Sequence, residues 1–391
     1  MNVKKLTLQN YKKFEDTSLE FKPSFNAIVG DSGSGKTSIL EGLDKVTGGL
    51  IDDLLRGDII ERGYRLMLEG DPSIKSRDKR ISKDASFNEL AIRCEFETDE
   101  RISINDEFTL PILSYFSSER VWKLTEEDMN SINSSYGKRG RGYLKSLKPI
   151  EYYTPFVEYI LGATLDEDEL HGINLALDGC LQDYRALLCS SDKIFLVNRS
   201  DNALHQYSLI GKGTKSLICL IIDIAYRCAV LNPHLGLETN NSPGIVLIDE
   251  LELHLHPKQQ YRIVEDLRRV FPNIQFIITT NSPFIIQSLR EGDYFINLDE
   301  PEIKYEYSNQ SIEDITECIM GLPQPQHSQR YKDMVAVAEE YYALLDKANL
   351  DDEEELEKVK LRLDLLMAPY GDNAAYQAFL KIERLASGID K

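Results

Sequence analysis

Apolar positions along the chain fall into a few distinct periods. Val3, Leu6 and Leu8 mark an opening stretch of strand texture, Leu19 and Phe21 mark a second, and Asn10-Tyr11-Lys12-Lys13-Phe14 lies between them. That spacing predicts a β-hairpin. It feeds the short apolar run Phe25-Asn26-Ala27-Ile28-Val29, a predicted buried strand, and Ser38-Ile39-Leu40-Glu41-Gly42-Leu43 then opens a helix. Residues 45–85 are mixed and polar and read as an insertion or loop. Strand texture returns over 86–116, where Ile92, Cys94 and Phe96 alternate with Ala91, Arg93 and Glu95 before the apolar run 110–116. A helical lobe is expected over roughly 121–190, and a hairpin over 193–208 turning at Asp201-Asn202. From about Thr214 to Leu231 the apolar spacing is helical and nearly continuous, which predicts a buried helix.

Further along, Ile245-Val246-Leu247-Ile248 is wholly apolar and ends in Asp249-Glu250. In an α/β core such a run is a parallel strand covered on both faces, and ligands gather at the carboxyl ends of such strands. A helix to Val270 and a second buried strand, Asn273 to Thr280, follow. From about residue 311 the chain turns helical and acidic. Met334, Val337, Tyr341 and Leu345 line one helix, Leu356, Val359, Leu363 and Leu366 a second after Asp351-Asp352-Glu353-Glu354-Glu355, and Phe379, Ile382 and Leu385 a third. This tail is either a packed helical cap or a docking platform for a partner. No repeat of solenoid length appears.

Composition narrows the class. The 391 residues suit one large domain with insertions or two lobes, and 42% hydrophobic content is enough for a sizeable core. No apolar run approaches the ~18 residues of a membrane span, and Met1-Asn2-Val3-Lys4-Lys5-Leu6 does not open a signal peptide, so a cytoplasmic protein is expected. The six cysteines (94, 180, 189, 219, 228, 318) show no C-x-x-C pairing and read as scattered thiols. A net charge of −20 repels polyphosphate backbones. Nucleic acid would need a local basic patch, either Lys75, Arg77, Lys79, Arg80 and Lys83 or Lys138, Arg139, Arg141, Lys145 and Lys148. Solvated loops are the competing reading of both.

The candidate chemistry centres on Gly30-Asp31-Ser32-Gly33-Ser34-Gly35-Lys36-Thr37, which fits G-x-x-x-x-G-K-[ST] between a predicted strand and a helix opening at Ser38. Its glycines let backbone N–H groups turn onto phosphates, and the helix N-terminus adds partial positive charge. Lys36 is expected at the β/γ-phosphates of ATP, and Thr37 on Mg²⁺. Lys12 and Lys13 sit where they could approach the nucleotide, although an ordinary solvent-facing turn fits equally. Asp249 would hold Mg²⁺ and Glu250 would polarise the attacking water. Asn281, at the end of the next strand, can touch the γ-phosphate. His254 and His256 form an H-x-H pair without a third ligand nearby, which argues against a metal site.

Asn10-Tyr11-Lys12-Lys13-Phe14, the P-loop, Leu247 to Pro257 and Phe276 to Pro283 together resemble the ABC-type ATPases related to RecF, SMC proteins and the overcoming-lysogenization-defect nucleases. Leu110 to Tyr115, Arg141-Gly142-Tyr143 and the acidic tail after Ile319-Met320-Gly321 resemble more narrowly the compact Septu and retron-associated ATPases of bacterial anti-phage systems. The resemblance implies an α/β, ABC-type P-loop NTPase with an N-terminal antiparallel β subdomain, a helical lobe insertion and an α-helical tail. The ATPase domain would span 1–310 and a helical partner-docking region 311–391. It also implies that two protomers sandwich ATP as a homodimer or higher oligomer. Each P-loop would then face the partner's signature loop, here Ile210-Gly211-Lys212-Gly213.

That loop normally reads Leu-Ser-x-Gly, so Gly211 stands where a serine hydroxyl is expected, and Asn281 replaces the family's strand-end histidine. Asn can donate a hydrogen bond to phosphate but cannot carry a proton as His does, so tight ATP binding with slow turnover is expected. No H-N-H arrangement appears among the six histidines, and the chain is expected to stop about where a Toprim nuclease domain would begin. Cutting would then belong to a separate effector, HNH-type in Septu-like systems, joined in retrons by a reverse transcriptase and its small DNA or RNA. A DNA-repair or chromosome-maintenance ATPase, the nucleotide-binding subunit of a membrane transporter, and a nucleotide-bound scaffold remain as alternatives. The acidic charge and the lack of a long heptad repeat weigh against the first, and the poor signature loop and RecF-like N-terminus weigh against the second.

Overall fold

The computed structural model describes residues 1–61, 63–69, 91–98, 101–104, 109–118, 141–143, 167–190, 193–300, 310–322, 327–347 and 353–386. The basic stretch 75–83 lies outside them, as do Lys138, Arg139, Lys145, Lys148 and most of the expected helical lobe. The chain divides into two compact units, 1–315 and 316–391. The mixed α/β class, with an N-terminal antiparallel sheet and a helical C-terminal region, is as the sequence predicts.

Three sheets build the first unit. β1 (Asn2–Tyr11) and β2 (Phe14–Glu20) form the predicted hairpin, which β5 (Ala91–Glu97) and β4 (Arg65–Glu69) extend into a four-stranded antiparallel sheet of order β2-β1-β5-β4. The central sheet is all-parallel among its five strands, in the order β12-β3-β11-β10-β6, from Tyr294–Asn297, Phe25–Val29, Ile274–Thr279, Gly244–Ile248 and Ile112–Phe116. The apolar runs are apolar because both faces of this sheet are covered: every residue of β3, β6, β10 and β11 is buried. Two polar residues inside those runs bind the chain leading into the central sheet, one of them reaching β1. The Gln275 amide donates to the carbonyls of Val3 (2.9 Å) and Lys22 (2.7 Å) and accepts the Val3 N–H at 2.7 Å. Asn26 accepts the Lys22 N–H and donates to the Phe276 carbonyl.

Helix α1 (Lys36–Leu55) runs past residue 45, where the sequence predicts a loop. Gly49 within it faces β4, and a Cβ there would lie 3.0 Å from Leu66 Cδ1. Within the expected lobe, α2 (Glu167–Cys180) is helical, but Tyr184–Ser190 forms strand β7. It pairs antiparallel with β8 (Lys193–Asn198), which continues to β9 (Leu204–Gln206) around Asn202 at φ +59°. α3 (Lys212–Leu231) is the predicted buried helix. Inside it the Asp223–Arg227 ion pair is almost fully buried, and Arg227 also donates to the Gly142 carbonyl at 2.6 Å. α4 (Pro257–Val270) and the short α5 (Pro283–Gln287) follow. Among the described residues no helix is long and apolar enough to cross a membrane.

The second unit packs α6 (Gln329–Lys347), α7 (Glu353–Met367) and α8 (Ala374–Ala386) around Tyr341, Leu363, Met367 and Leu380. α8 is rotated from the predicted face. Phe379, Ile382 and Leu385 stand 53%, 61% and 61% exposed, whereas Leu380 is buried and Arg384 turns inward to Asp364 at 2.6 Å.

Two polar atoms are buried near the hairpin and α1. Among the described residues, Tyr11 Oη and Asp44 Oδ1 are buried without a hydrogen-bond partner. Burial pushes the Asp44 carboxyl up to about 7 against an opposing pull from Lys45, and burial with the nearby Asp44 charge pushes the Tyr11 phenol up to about 12. The folded chain therefore holds the Asp44 proton more tightly than an unfolded one, whose value is about 3.9. Its stabilising effect is full below that value and is lost as pH rises through about 7. Asp44→Asn removes the titration. Thermal melts from pH 4 to 8 are expected to show the variant gaining on the wild type as pH rises, with little difference at pH 4. Parallel curves across that range would contradict the assignment.

Candidate functional site

β3 ends at Val29 and delivers Gly30 to the carboxyl edge of the central sheet, beside the ends of β10 and β11. The loop from Gly30 to Gly35 then turns into α1, whose N-cap is Gly35 at φ +101°. A Cβ on Gly35 would lie 2.7 Å from Phe14 Cζ, so the glycine answers both a left-handed backbone and the close approach of the first hairpin. Lys13 follows Phe14 onto the loop and donates from Nζ to the Gly33 carbonyl at 3.0 Å. Lys36 folds back across the loop, donating to the carbonyls of Gly30 (2.5 Å) and Asp31 (3.0 Å). Ser34 Oγ is buried with no hydrogen-bond partner among the described residues, an orphaned donor within the loop. Ser32 and Thr37 are exposed and Ser38 is half-buried. The Asp31 N–H is held at 2.6 Å by the carboxylate of Asp299, just past β12.

Asp249 stands at the end of β10, 1% exposed. Thr37 donates from Oγ1 to its Oδ2 at 3.0 Å, and Thr279, the last residue of β11, donates to its Oδ1 at 2.6 Å. The same Thr279 hydroxyl accepts the Glu250 N–H at 2.8 Å. Glu250 is half-buried and holds φ +49°. This hydroxyl–carboxylate pair fits a hard cation such as Mg²⁺, which takes oxygen ligands, keeps several waters and needs only one or two protein groups. It is too small a set to count as a cage, and among the described residues no group of three His, Cys, Asp or Glu side chains converges.

The structure thus brings the P-loop, Lys13, Thr37, Asp249 and Glu250 to one edge. Lys12 is drawn away from the loop into an ion pair with Glu41 on α1, and its ammonium lies 5.9 Å from the Tyr11 ring. Asn281 follows β11 with an exposed side chain, and its N–H is bound by Glu252 Oε1 at 2.7 Å. Gly211 is the N-cap of α3, and Lys212 and Gly213 open that helix. No hydrogen bond among the described residues joins these three to the P-loop. Gly213 instead packs on the turn after β10: a Cβ there would lie 2.2 Å from the His254 carbonyl oxygen. At Gly211 a Cβ would meet nothing within 4 Å. His256 caps α4, its ring accepting the Lys258 N–H.

Sequence reasoning passed over Thr279, Glu252 and Asp299. For the first two a weak signal exists, two adjacent threonines closing an apolar strand and a third acid after Asp249-Glu250. Asp299 reaches the P-loop from 268 residues away and leaves no local mark.

Two family models match the chain, one described as an AAA domain over residues 5–109 and one as an AAA domain, putative AbiEii toxin, Type IV TA system, over residues 115–287. The Septu protein PtuA of Bacillus thuringiensis is 24% identical over 397 residues, covering 94% of each chain. The Retron Vc95 probable ATPase of Vibrio cholerae serotype O1 biovar El Tor is 24% identical over 405 residues, covering 77% of this chain and 76% of its own. Among solved structures, the SMC head domain from Thermotoga maritima aligns over 76% of this chain and 94% of its own, at 17% identity and a TM-score of 0.37. The chain is similar along most of its length to Septu and retron ATPases.

The Thr279 hydroxyl is expected to matter as a bridge. Thr279→Val keeps the shape and removes both hydrogen bonds, leaving a buried carboxylate oxygen and an N–H without that partner, a loss of about 1–3 kcal/mol. Thr279→Ser keeps the hydroxyl and loses one methyl, about 0.8 kcal/mol. Denaturation should rank wild type above Ser above Val, and Val equal to Ser would contradict the bridge.

Proposed function

We propose that this protein is the ATPase subunit of a bacterial anti-phage complex of the Septu and retron kind, cytoplasmic, working as an ATP-sandwiched dimer or higher oligomer that controls a separate nuclease effector. The observation that carries the ATP reading is the convergence of Thr37, Asp249 and Thr279 at the end of the P-loop strand's sheet. Similarity over 94% of both chains to a Septu protein carries the biological setting.

On this reading Lys36 leaves the carbonyls of Gly30 and Asp31 for the β/γ-phosphates, and the N–H groups of Gly33 to Ser38, with the Ser34 hydroxyl, receive the phosphate oxygens. Thr37 and Asp249 hold Mg²⁺, which would neutralise charge on those oxygens. Glu250 orients the attacking water and Asn281 hydrogen-bonds the γ-phosphate. The second protomer supplies Gly211, Lys212 and Gly213, the start of α3, whose positive end faces the anion. Gly211 offers no hydroxyl and Asn281 no transferable proton, so ATP acts mainly as a clamp with slow turnover. The effector is a separate chain, HNH-type in the simplest case, with a reverse transcriptase and small DNA or RNA in a retron setting. Residues 311–391 are its docking region. Any direct nucleic-acid contact falls to Lys138, Arg139 and Arg141.

Phosphate release and nucleotide retention test this reading. Wild type and Glu250→Gln should both retain ATP and release phosphate far more slowly than about 1 per second, an ordinary enzymatic rate. Gly211→Ser fits the open space at that position and supplies the missing hydroxyl, so release should rise about tenfold, the effect of roughly 1.4 kcal/mol at the transition state. Brisk wild-type release, lost in Glu250→Gln, would overturn the clamp. Removing residues 325–391 should abolish co-purification of the effector and spare nucleotide binding, and retained co-purification would move the docking surface elsewhere.

A further inference from the structure

Glu252 lies two residues past Glu250, in the turn that leaves β10, and its carboxylate is used at both oxygens. Oε1 accepts the Asn281 backbone N–H at 2.7 Å, and Oε2 accepts the Thr280 hydroxyl at 2.7 Å. Thr280 is fully buried, and its oxygen also accepts the Ser282 N–H at 3.0 Å. Ser282 in turn caps α5 and donates to Gln260 Oε1 at 2.7 Å. The carboxylate therefore grips a segment that is anchored on its far side. The near side is anchored as well: the Glu250 N–H binds Thr279 Oγ1 at 2.8 Å, and the Leu251 N–H binds the Thr279 carbonyl at 3.1 Å. Glu250 (φ +49°) and His254 (φ +64°) both adopt left-handed backbone without being glycine, a conformation that persists where the surroundings over-determine it.

We propose that Glu252 is a positioning residue that holds Asn281 at the γ-phosphate and fixes it relative to Glu250. Bonds from N–H and O–H donors to an ionised carboxylate are among the stronger hydrogen bonds a protein forms. With both made, the end of β11 and the turn after β10 move as one piece. Asn281 has an exposed side chain on a backbone that Glu252 holds directly. Without Glu252 the β11 end keeps its strand pairing, but Asn281 loses the contact that sets its direction. The role rests on the ATP reading above. It predicts an effect on discrimination between ATP and ADP, because only ATP carries the phosphate that Asn281 meets.

The test compares full-length wild type, Glu252→Gln, Glu252→Ala, Asn281→Ala and the Glu252→Ala/Asn281→Ala double variant. Mg-ATP and Mg-ADP affinities are measured side by side with thermal midpoints. ADP affinity should stay within about twofold throughout. Preference for ATP should fall about five- to tenfold in Glu252→Ala, the worth of one net hydrogen bond, and by less in Glu252→Gln, which keeps one acceptor. The double variant should lose no more than Asn281→Ala alone, the non-additivity of residues acting through one contact. An unchanged ATP preference in a folded Glu252 variant, ADP affinity falling in parallel, or additive losses would each overturn the role. If the alanine variant does not fold, Glu252→Gln decides by the same criterion. A wild type that binds neither nucleotide would overturn the ATP reading and this role together. Binding with intact preference in every Glu252 variant would overturn this role alone.

Discussion

A carboxylate 1% exposed at the end of an apolar strand loses its hydration, a cost of several kcal/mol unless polar groups meet it. Asp249 is met by two hydroxyls, Thr37 from the first turn of α1 and Thr279 from the end of β11. The arrangement is possible because β11 lies between the P-loop strand β3 and the acid-bearing strand β10. In this order Thr279 stands between the P-loop strand and Asp249. The burial that makes Asp249 expensive also makes it directional, since both of its oxygens are met by hydroxyls, one of which a bound cation would replace.

The remainder of the first unit supports that edge. Gln275 ties the central sheet to β1, and Asn26 ties it to the link after β2, from within otherwise apolar runs. Those strands in turn present Phe14 and Lys13 to the P-loop, the ring over Gly35 and the ammonium on the Gly33 carbonyl. Asp299 fixes the loop's entry from the opposite side. The turn after β10 carries Glu250 and also abuts Gly213 at the start of α3, so one short segment links the end of β10 to that helix.

Parallel strands and buried helices were legible because their apolar runs have no other use. Phe25–Val29, Ile245–Ile248 and Thr214–Leu231 could be read almost to the residue. Elements whose outer faces are polar were not: α1 beyond residue 45 carries Gly48-Gly49 and Asp52-Asp53 and looks like a loop until Gly49 is seen against Leu66. Tyr184–Ser190 is a short apolar run, and without its partner β8 a strand and a helix segment cannot be told apart. Phe379, Ile382 and Leu385 have core spacing but face outward, while Leu380 and Arg384 take the buried side of α8. The candidate site divides the same way. The motif residues are contiguous and visible, whereas Thr279, Glu252 and Asp299 act through side-chain hydrogen bonds across strands, which leave no period in the sequence.

The measurement that bears most directly on this account is the Mg²⁺ dependence of ATP binding, by calorimetry on wild type and Asp249→Asn. If Asp249 and Thr37 form half of a metal site, wild-type affinity rises with Mg²⁺, and the variant keeps only the metal-independent binding that Lys36 and the loop N–H groups supply. Equal Mg²⁺ dependence in the two proteins, or none in the wild type, would contradict the account.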